Sequence, residues 1–91
     1  MSEVVRTRVV VSGRVQGVFF RDSTRREALR RGVAGWVCNR RDGALEAVFE
    51  GPPGDVRALV EFCRRGPRGA EVDSVTTSGE EPEGLTGFEV R

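Results

Sequence analysis

Residues 13–21 read Gly-Arg-Val-Gln-Gly-Val-Phe-Phe-Arg, and this stretch decides the fold that the sequence predicts. It follows the apolar run Val9-Val10-Val11, which predicts a strand, and it precedes a segment of helical character. A strand, a glycine-containing loop and a helix start bring unpaired main-chain N–H groups together, where the helix dipole adds partial positive charge. Arg21 lies where the loop meets the helix, and its guanidinium offers five donors suited to a phosphate. The stretch therefore predicts an anion-binding loop.

Two alternatives remain open for this loop and its arginine. Glycines also form ordinary turns that bind no ligand. Arg21 favours an anion, since a cation at a helix N-terminus opposes the dipole unless an anion lies between them. A surface salt bridge with a nearby glutamate is the alternative for Arg21.

Two stretches have the pattern of amphipathic helices. The first covers about residues 22–32, with Asp22 or Ser23 as its N-cap and Gly32 as its stop. Its inner stripe would be Thr24, Ala28 and Leu29. The second covers about residues 53–65 and is followed by Gly66-Pro67. Its apolar side chains recur at helical spacing and are Val56, Leu59, Val60 and Cys63.

Alternation of apolar and polar side chains predicts the strands. Asp42-Gly43 predicts a hairpin between the second and third strands, and residues 78–84 read as an acidic loop. On the third strand, one face would carry Leu45, Ala47 and Phe49, and the other Glu46, Val48 and Glu50. The strands cover about residues 5–13, 34–40, 44–50 and 70–77, with a short last strand through Phe88 and Val90.

The resulting order, β-α-β-β-α-β plus a terminal strand, predicts an α+β fold. Two helices would cover one face of an antiparallel sheet, which is the ferredoxin-like α/β sandwich. The length of 91 residues fits a single domain over residues 1–91. Fold alone does not name a function.

The basic residues of this chain are unusual in kind. All 15 are Arg, and the sequence contains no Lys, no His and no Tyr. An imidazole base, a Schiff-base lysine and a Walker-type lysine are therefore excluded. A base-composition bias of the genome is the simplest explanation of the arginines. The formal net charge of +1 gives no global attraction to nucleic acid or to an anionic membrane, and we expect neither partner.

The cysteines and the apolar runs bear on cofactors and location. Cys38 and Cys63 match neither a CxxC redox pair nor a zinc framework, so no metal and no other cofactor is expected. No apolar run approaches the ~20 residues of a membrane span, and residues 1–6 lack the apolar core of a signal peptide. We therefore expect a cytoplasmic protein, and we take a monomer as the default, because the sequence does not fix the oligomeric state.

Three further groups of residues are candidates with simpler alternatives. Asn39 ends a strand before the hairpin, where its amide could hold a water molecule near the phosphate, although Asn is also a common turn residue. Trp36 and Cys38 share a strand face opposite Val37, and packing or partial exposure explains them. A cluster of helix arginines could bind RNA, but a solvated helix face explains it more simply; its members are Arg25, Arg26, Arg30 and Arg31.

The stretches GRVQGVFFR (residues 13–21) and GWVCN (residues 35–39) resemble the two signatures of the acylphosphatase family. The first agrees at every defined position. The second agrees except that Cys38 stands where a long side chain is usual, and Leu45 further on where Val is usual. The resemblance covers essentially the whole chain and implies hydrolysis of acyl phosphates to a carboxylate and inorganic phosphate, without a metal or organic cofactor. It also implies that Arg21 is the catalytic arginine and that Asn39 orients the water.

This resemblance leads to a concrete hypothesis for the site. Main-chain N–H groups would bind the substrate phosphate, and inorganic phosphate or sulfate would bind there as product-like ligands. The contributing residues are Gln16, Gly17, Val18, Phe19, Phe20 and Arg21. A non-catalytic phosphate-binding module of the same fold and an RNA-binding protein are the alternatives; the first would bind phosphate without turnover, and the second would bind with a steep salt dependence.

Overall fold

Five strands and two helices form the fold in the computed structural model, which describes residues 3–91. Met1 and Ser2, which belong to the stretch interpreted as lacking a signal peptide, lie outside the described residues. The predicted order of elements is confirmed. The elements are β1 (Val5–Arg14), α1 (Phe20–Arg31), β2 (Ala34–Asn39), β3 (Leu45–Gly51), α2 (Pro53–Arg65), β4 (Glu71–Glu80) and β5 (Phe88–Val90).

The strands form one sheet in the order β4-β1-β3-β2-β5. The first four strands pair antiparallel, which confirms the ferredoxin-like α/β sandwich. The terminal strand β5 instead runs parallel to β2, so the sheet is mixed. Phe88 explains why this short strand holds its place, because its ring is buried and stacks on Phe49 at a centroid distance of 5.9 Å.

The core lies between the sheet and the two helices. The predicted inner face of β3 is confirmed, since Leu45, Ala47 and Phe49 are fully buried there. Within residues 3–91, no helix is long and apolar enough to cross a membrane. The helices contribute Phe20, Thr24 and Ala28 from α1, and Val56, Leu59 and Cys63 from α2.

The start of α1 differs from the prediction. The helix begins at Phe20, and its cap residue is Phe19, in the left-handed conformation and without a side-chain cap hydrogen bond. Asp22 and Ser23 were therefore wrong as N-caps; the carboxylate of Asp22 pairs with Arg26 at 2.9 Å instead. Burial of Phe20 accounts for the early start, because it places an apolar side chain in the core two positions before the predicted boundary.

The inner stripe of α1 also differs at one position. Phe20, Thr24 and Ala28 are four residues apart and form the buried side of the helix. Leu29 was predicted to join this stripe, but it is 49% exposed. The position after Ala28 is rotated by about 100° around a helix of 3.6 residues per turn, which turns Leu29 out of the core.

Strand β4 is longer than predicted and includes residues 78–80, which the sequence placed in the acidic loop. Glu80 lies opposite Arg6 in the register of β4 and β1. Its carboxylate accepts hydrogen bonds from Arg6 Nε at 2.8 Å and from Arg8 Nε at 2.6 Å. These contacts hold the end of the strand against β1, and local sequence gives no sign of them.

Ion pairs cover the sheet face opposite the helices. Arg6 pairs with Glu50 at 2.7 Å, and both side chains are buried. Arg8 bridges Glu80 and Glu46. Hydrogen bonds from Arg8 and then from Arg6 lower the pKa of Glu80 to about 2. This carboxylate is therefore more easily ionised in the folded protein than in the unfolded chain.

Acid should weaken the fold through Glu80. A carboxyl whose pKa falls from 4.5 in the unfolded chain to about 2 in the folded protein stabilises fully above about pH 4.5. This contribution is lost as the pH falls from there through about 2. We expect Glu80→Gln to lower the free energy of unfolding at pH 7 and to flatten its decline in acid, as measured by urea unfolding at a series of pH values.

Glu81→Gln is the matched control, because Glu81 is the exposed neighbour and makes no ion pair within residues 3–91. Equal pH profiles for Glu80→Gln and the unsubstituted protein would contradict the assignment.

Candidate active site

A cleft of about 450 Å³ opens where the end of β1, the start of α1, the end of β2 and β5 meet. It contains Arg21 and Asn39, which are brought to one place although they come from different elements. The cleft is lined by Val15, Gly17, Phe19, Phe20, Arg21, Asp22, Asn39 and Val90.

The loop before α1 is held by buried residues at both ends. Val15 and Phe20 belong to the core, and only four residues lie between them. Gly17 and Phe19 have positive φ values of 74° and 59°, and Val18 between them does not. Alternation of this kind turns successive N–H groups toward one side and forms an anion-binding concavity.

The N–H groups of this loop lack main-chain partners among the described residues. Within residues 3–91, no main-chain carbonyl accepts a hydrogen bond from an N–H of residues 17–21. The first helical bond of α1 runs from the N–H of Ser23 to the carbonyl of Phe19, at 3.0 Å. A run of unpaired donors at a helix start is suited to binding an anion.

Arg21 is partly buried and stands at the wall of the cleft. Its Nη1 donates to the main-chain oxygen of Arg91 at 3.3 Å. In the described part of the chain no Asp or Glu side chain lies within ion-pair distance of this guanidinium. The alternative of a surface salt bridge therefore finds no support, and the other donors of Arg21 remain available to a ligand.

Asn39 is the last residue of β2 and lies opposite Leu45 of β3. Its side-chain oxygen Oδ1 is buried and accepts no hydrogen bond from residues 3–91. The hairpin turn does not use this side chain. The carboxylate of Asp42 accepts a hydrogen bond from the N–H of Ala44. The N–H of Arg40 donates to the carbonyl of Ala44, and the N–H of Gly43 donates to the carbonyl of Arg40. A buried polar atom without a partner is rare in proteins, and it points to a bound water or ligand.

Gln16 has a role that the sequence did not reveal. Its Nε2 donates to the carbonyls of Arg40 at 2.8 Å and Ala44 at 3.1 Å. This amide therefore joins the anion-binding loop to the hairpin that follows Asn39. The side chains of Gln16 and Val18 do not line the cleft, and Val18 packs against the core.

Gly13, the first residue of the signature, serves the sheet and not the cleft. A Cβ at this position would lie 2.2 Å from the carbonyl oxygen of Glu71 on β4. The register of β1 and β4 shifts between Ser12 and Gly13, which brings the two backbones into this close contact. Glycine at this position therefore permits a close strand approach next to the site.

The cysteines show no sign of reactivity. Burial, and then the charge of Glu46, raises the pKa of Cys38. Burial raises the pKa of Cys63 to about 12. A thiol with a raised pKa stays protonated and is a poor nucleophile. In residues 3–91 no three side chains of His, Cys, Asp or Glu are grouped as a metal site.

The helix arginines that could have bound RNA are largely paired with acids. Arg26 pairs with Asp22, Arg30 with Glu27, and Arg31 with Asp55 at 3.1 Å. These pairs reduce the positive potential along α1, and a solvated, ion-paired helix face accounts for them.

Trp36 lies on the sheet face opposite the helices, which we call the open sheet face. The guanidinium groups of Arg8 and Arg91 lie over its ring, at distances of 5.5 Å and 4.8 Å from the ring centroid.

Comparisons with known proteins agree with the predicted resemblance. The acylphosphatase family profile matches residues 7–90. An acylphosphatase of Gloeobacter violaceus is 56% identical over 90 residues, which cover 99% of this chain and 97% of the relative. The crystal structure of acylphosphatase from Bacillus subtilis has a TM-score of 0.92 and 36% identity, covering 96% of this chain and 98% of the other. An acylphosphatase structure from Coxiella burnetii has a TM-score of 0.92 and 38% identity, covering 97% and 93%.

Removal of the Gln16 amide should loosen the loop against the hairpin. Gln16→Ala deletes two hydrogen bonds and should lower the free energy of unfolding by about 1 kcal/mol. Amide hydrogen exchange at Gly43 and Ala44 should become faster, because their turn loses its contact with the loop. Gln16→Glu is a second test variant of equal size. Because a carboxylate cannot donate to a carbonyl, it should also lose both hydrogen bonds and show the same faster exchange as Gln16→Ala. Unchanged exchange in both variants would contradict this role.

Proposed function

This chain belongs to the acylphosphatase family and is a hydrolase of acyl phosphates, and we propose that Arg21 and Asn39 are its catalytic residues. Main-chain N–H groups of residues 16–21 bind the phosphoryl group in this proposal. The observation that carries it is that Arg21 and Asn39 line one cleft beside a run of unpaired N–H groups. The hydrolysis yields a carboxylate and inorganic phosphate, and it requires no metal.

The phosphoryl group is held by charge and by position. The N–H groups of the loop donate to the phosphate oxygens, and the guanidinium of Arg21 binds two of them. Phosphoryl transfer spreads charge over the equatorial oxygens, so fixed donors stabilise its transition state. Because Val15 and Phe20 anchor the loop in the core, these donors need little rearrangement when the substrate arrives.

The water is held by Asn39 for attack in line with the leaving group. The unsatisfied Oδ1 supports this role, since it can accept a hydrogen bond from the attacking water. The leaving group is a carboxylate, which is a weak base and needs no protein acid. The proton of the water passes to a phosphate oxygen of the substrate, because the chain has no histidine to receive it.

The proposal extends to how the protein occurs. Residues 1–91 act as one domain and as a monomer in the cytoplasm, with inorganic phosphate or sulfate as product-like ligands of the same cleft. Both cysteines are free thiols, which supports a reducing compartment.

Loss of the Arg21 guanidinium should abolish most of the activity. We expect Arg21→Ala to lower kcat/KM for benzoyl phosphate by at least about 10²–10³-fold, the effect of removing a preorganised donor. Arg25→Ala is the matched control, because Arg25 is exposed on the same helix and does not line the cleft. Urea unfolding should show that both variants fold. Comparable kcat/KM for Arg21→Ala and the wild type would refute the assignment.

Asn39 should affect the chemical step more than phosphate binding. We expect Asn39→Ala to lower kcat by about 10²-fold, while the inhibition constant of inorganic phosphate changes little. The reason is that Asn39 contacts the water and not the phosphoryl oxygens. Steady-state kinetics with phosphate as competitive inhibitor measures both quantities. If Asn39→Ala keeps its kcat but binds phosphate weakly, the residue is a phosphate ligand and not a water holder.

One assay separates the enzyme from a phosphate-binding module of the same fold. Wild-type protein and Arg21→Ala are incubated with acetyl phosphate and benzoyl phosphate in the presence of EDTA. Turnover by the wild type alone supports metal-independent catalysis at Arg21. Phosphate binding without turnover of either compound would favour the binding module.

A further inference from the structure

Phe19 combines two features that are unfavourable for the fold. Its side chain is 82% exposed, and it does not belong to the core cluster. Its φ of 59° is the only positive value at a non-glycine residue in the described part of the chain. A bulky residue in the left-handed region is an outlier, and such strain collects at ligand-binding sites. An exposed aromatic ring in a strained position gains nothing from burial within this protein.

The position of Phe19 gives its ring a possible partner. Its N–H belongs to the proposed phosphate-binding loop, and Phe19 is one of the residues that line the same cleft. Phe19 therefore stands beside any group that is bonded to a phosphate held in the loop. In an acyl phosphate that group is the acyl chain.

Val90 forms a second apolar wall of the cleft. It lies on β5 opposite Val37 of β2, and it is 43% exposed although Phe88, two residues earlier, is buried. The cleft volume of about 450 Å³ lies within the range of about 300–1,000 Å³ of pockets that hold small organic ligands. The cleft is thus large enough for an acyl group as well as a phosphate.

We propose that Phe19, with Val90, forms an apolar subsite that selects acyl phosphates with aromatic or branched acyl groups over acetyl phosphate. The inference rests on the proposed function, because the phosphate must bind in the loop for the acyl group to reach this subsite. The acyl group packs between the two side chains and covers apolar surface that the free protein exposes to water. Aromatic rings gain additional energy from contact with Phe19.

The test compares kcat/KM for benzoyl phosphate with kcat/KM for acetyl phosphate. The intrinsic reactivity of the two compounds cancels when the ratio of a variant is divided by that of the wild type. We expect Phe19→Ala to lower this ratio about tenfold, the scale on which apolar pockets discriminate. Phe19→Trp should keep the ratio, because it restores an aromatic surface. Val90→Ala should lower the ratio about threefold, since it removes a smaller apolar surface.

Two controls separate selectivity from stability. Leu29→Ala removes another exposed apolar side chain of α1 that does not line the cleft, and the ratio should not change. Phe19→Asn should lower the ratio while its thermal midpoint stays equal or rises, because Asn tolerates the left-handed conformation better than Phe. A role in folding alone would give the opposite result, a lower midpoint with an unchanged ratio.

The outcomes distinguish this inference from the proposed function. A wild type that hydrolyses neither compound overturns the proposed function and this inference with it. A wild type that hydrolyses both, with a ratio that Phe19→Ala leaves within twofold, overturns the inference alone. If Phe19→Ala fails to fold, Val90→Ala decides in the same way, and an unchanged ratio overturns the subsite.

Discussion

Burial of Val15 and Phe20 is the constraint on which the site depends. The two side chains enter the core from opposite ends of a loop of four residues. A loop this short between two fixed points has few conformations, and here it adopts one with positive φ at Gly17 and Phe19. Its N–H groups are then oriented before any ligand arrives. If the loop binds the phosphoryl group as proposed, the hydrophobic core provides the preorganisation that electrostatic catalysis requires.

The ion pairs of the open sheet face support the site from the other side. Glu50 accepts hydrogen bonds from Arg6, from the N–H of Glu83 and from the N–H of Leu85. Burial alone would raise the pKa of Glu50, but these hydrogen bonds outweigh it and the pKa is lowered. They attach the segment before β5 to the sheet. Since β5 carries Val90 into the cleft and leads to the main-chain oxygen that Arg21 contacts, the network helps to position the cleft wall.

Local sequence predicted the parts of the structure that depend on local rules. The predicted range of helix α2 matches its observed bounds, Pro53–Arg65. The helical spacing of its apolar residues and the residues that mark its two ends indicate the same range. Phe19 as a helix cap could not be predicted, since capping preferences favour small polar residues there. The extension of β4 through Glu80 and the contacts of Gln16 depend on partners distant in the chain. The position of Asn39 beside Arg21 followed from the family resemblance, whereas its unsatisfied oxygen is visible only in the structure.

The chemistry of acyl phosphates indicates which part of the cleft can select between substrates. In the proposed mechanism every acyl phosphate presents the same phosphoryl group to the loop and to Arg21, so these groups cannot distinguish one substrate from another. The departing carboxylate needs no proton, and the absence of histidine is therefore compatible with hydrolysis. Any discrimination in this proposal comes from side chains that stand beyond the phosphate, beside the acyl group. Phe19 and Val90 are the exposed apolar side chains of the cleft wall, and they contribute little to the core that holds the loop.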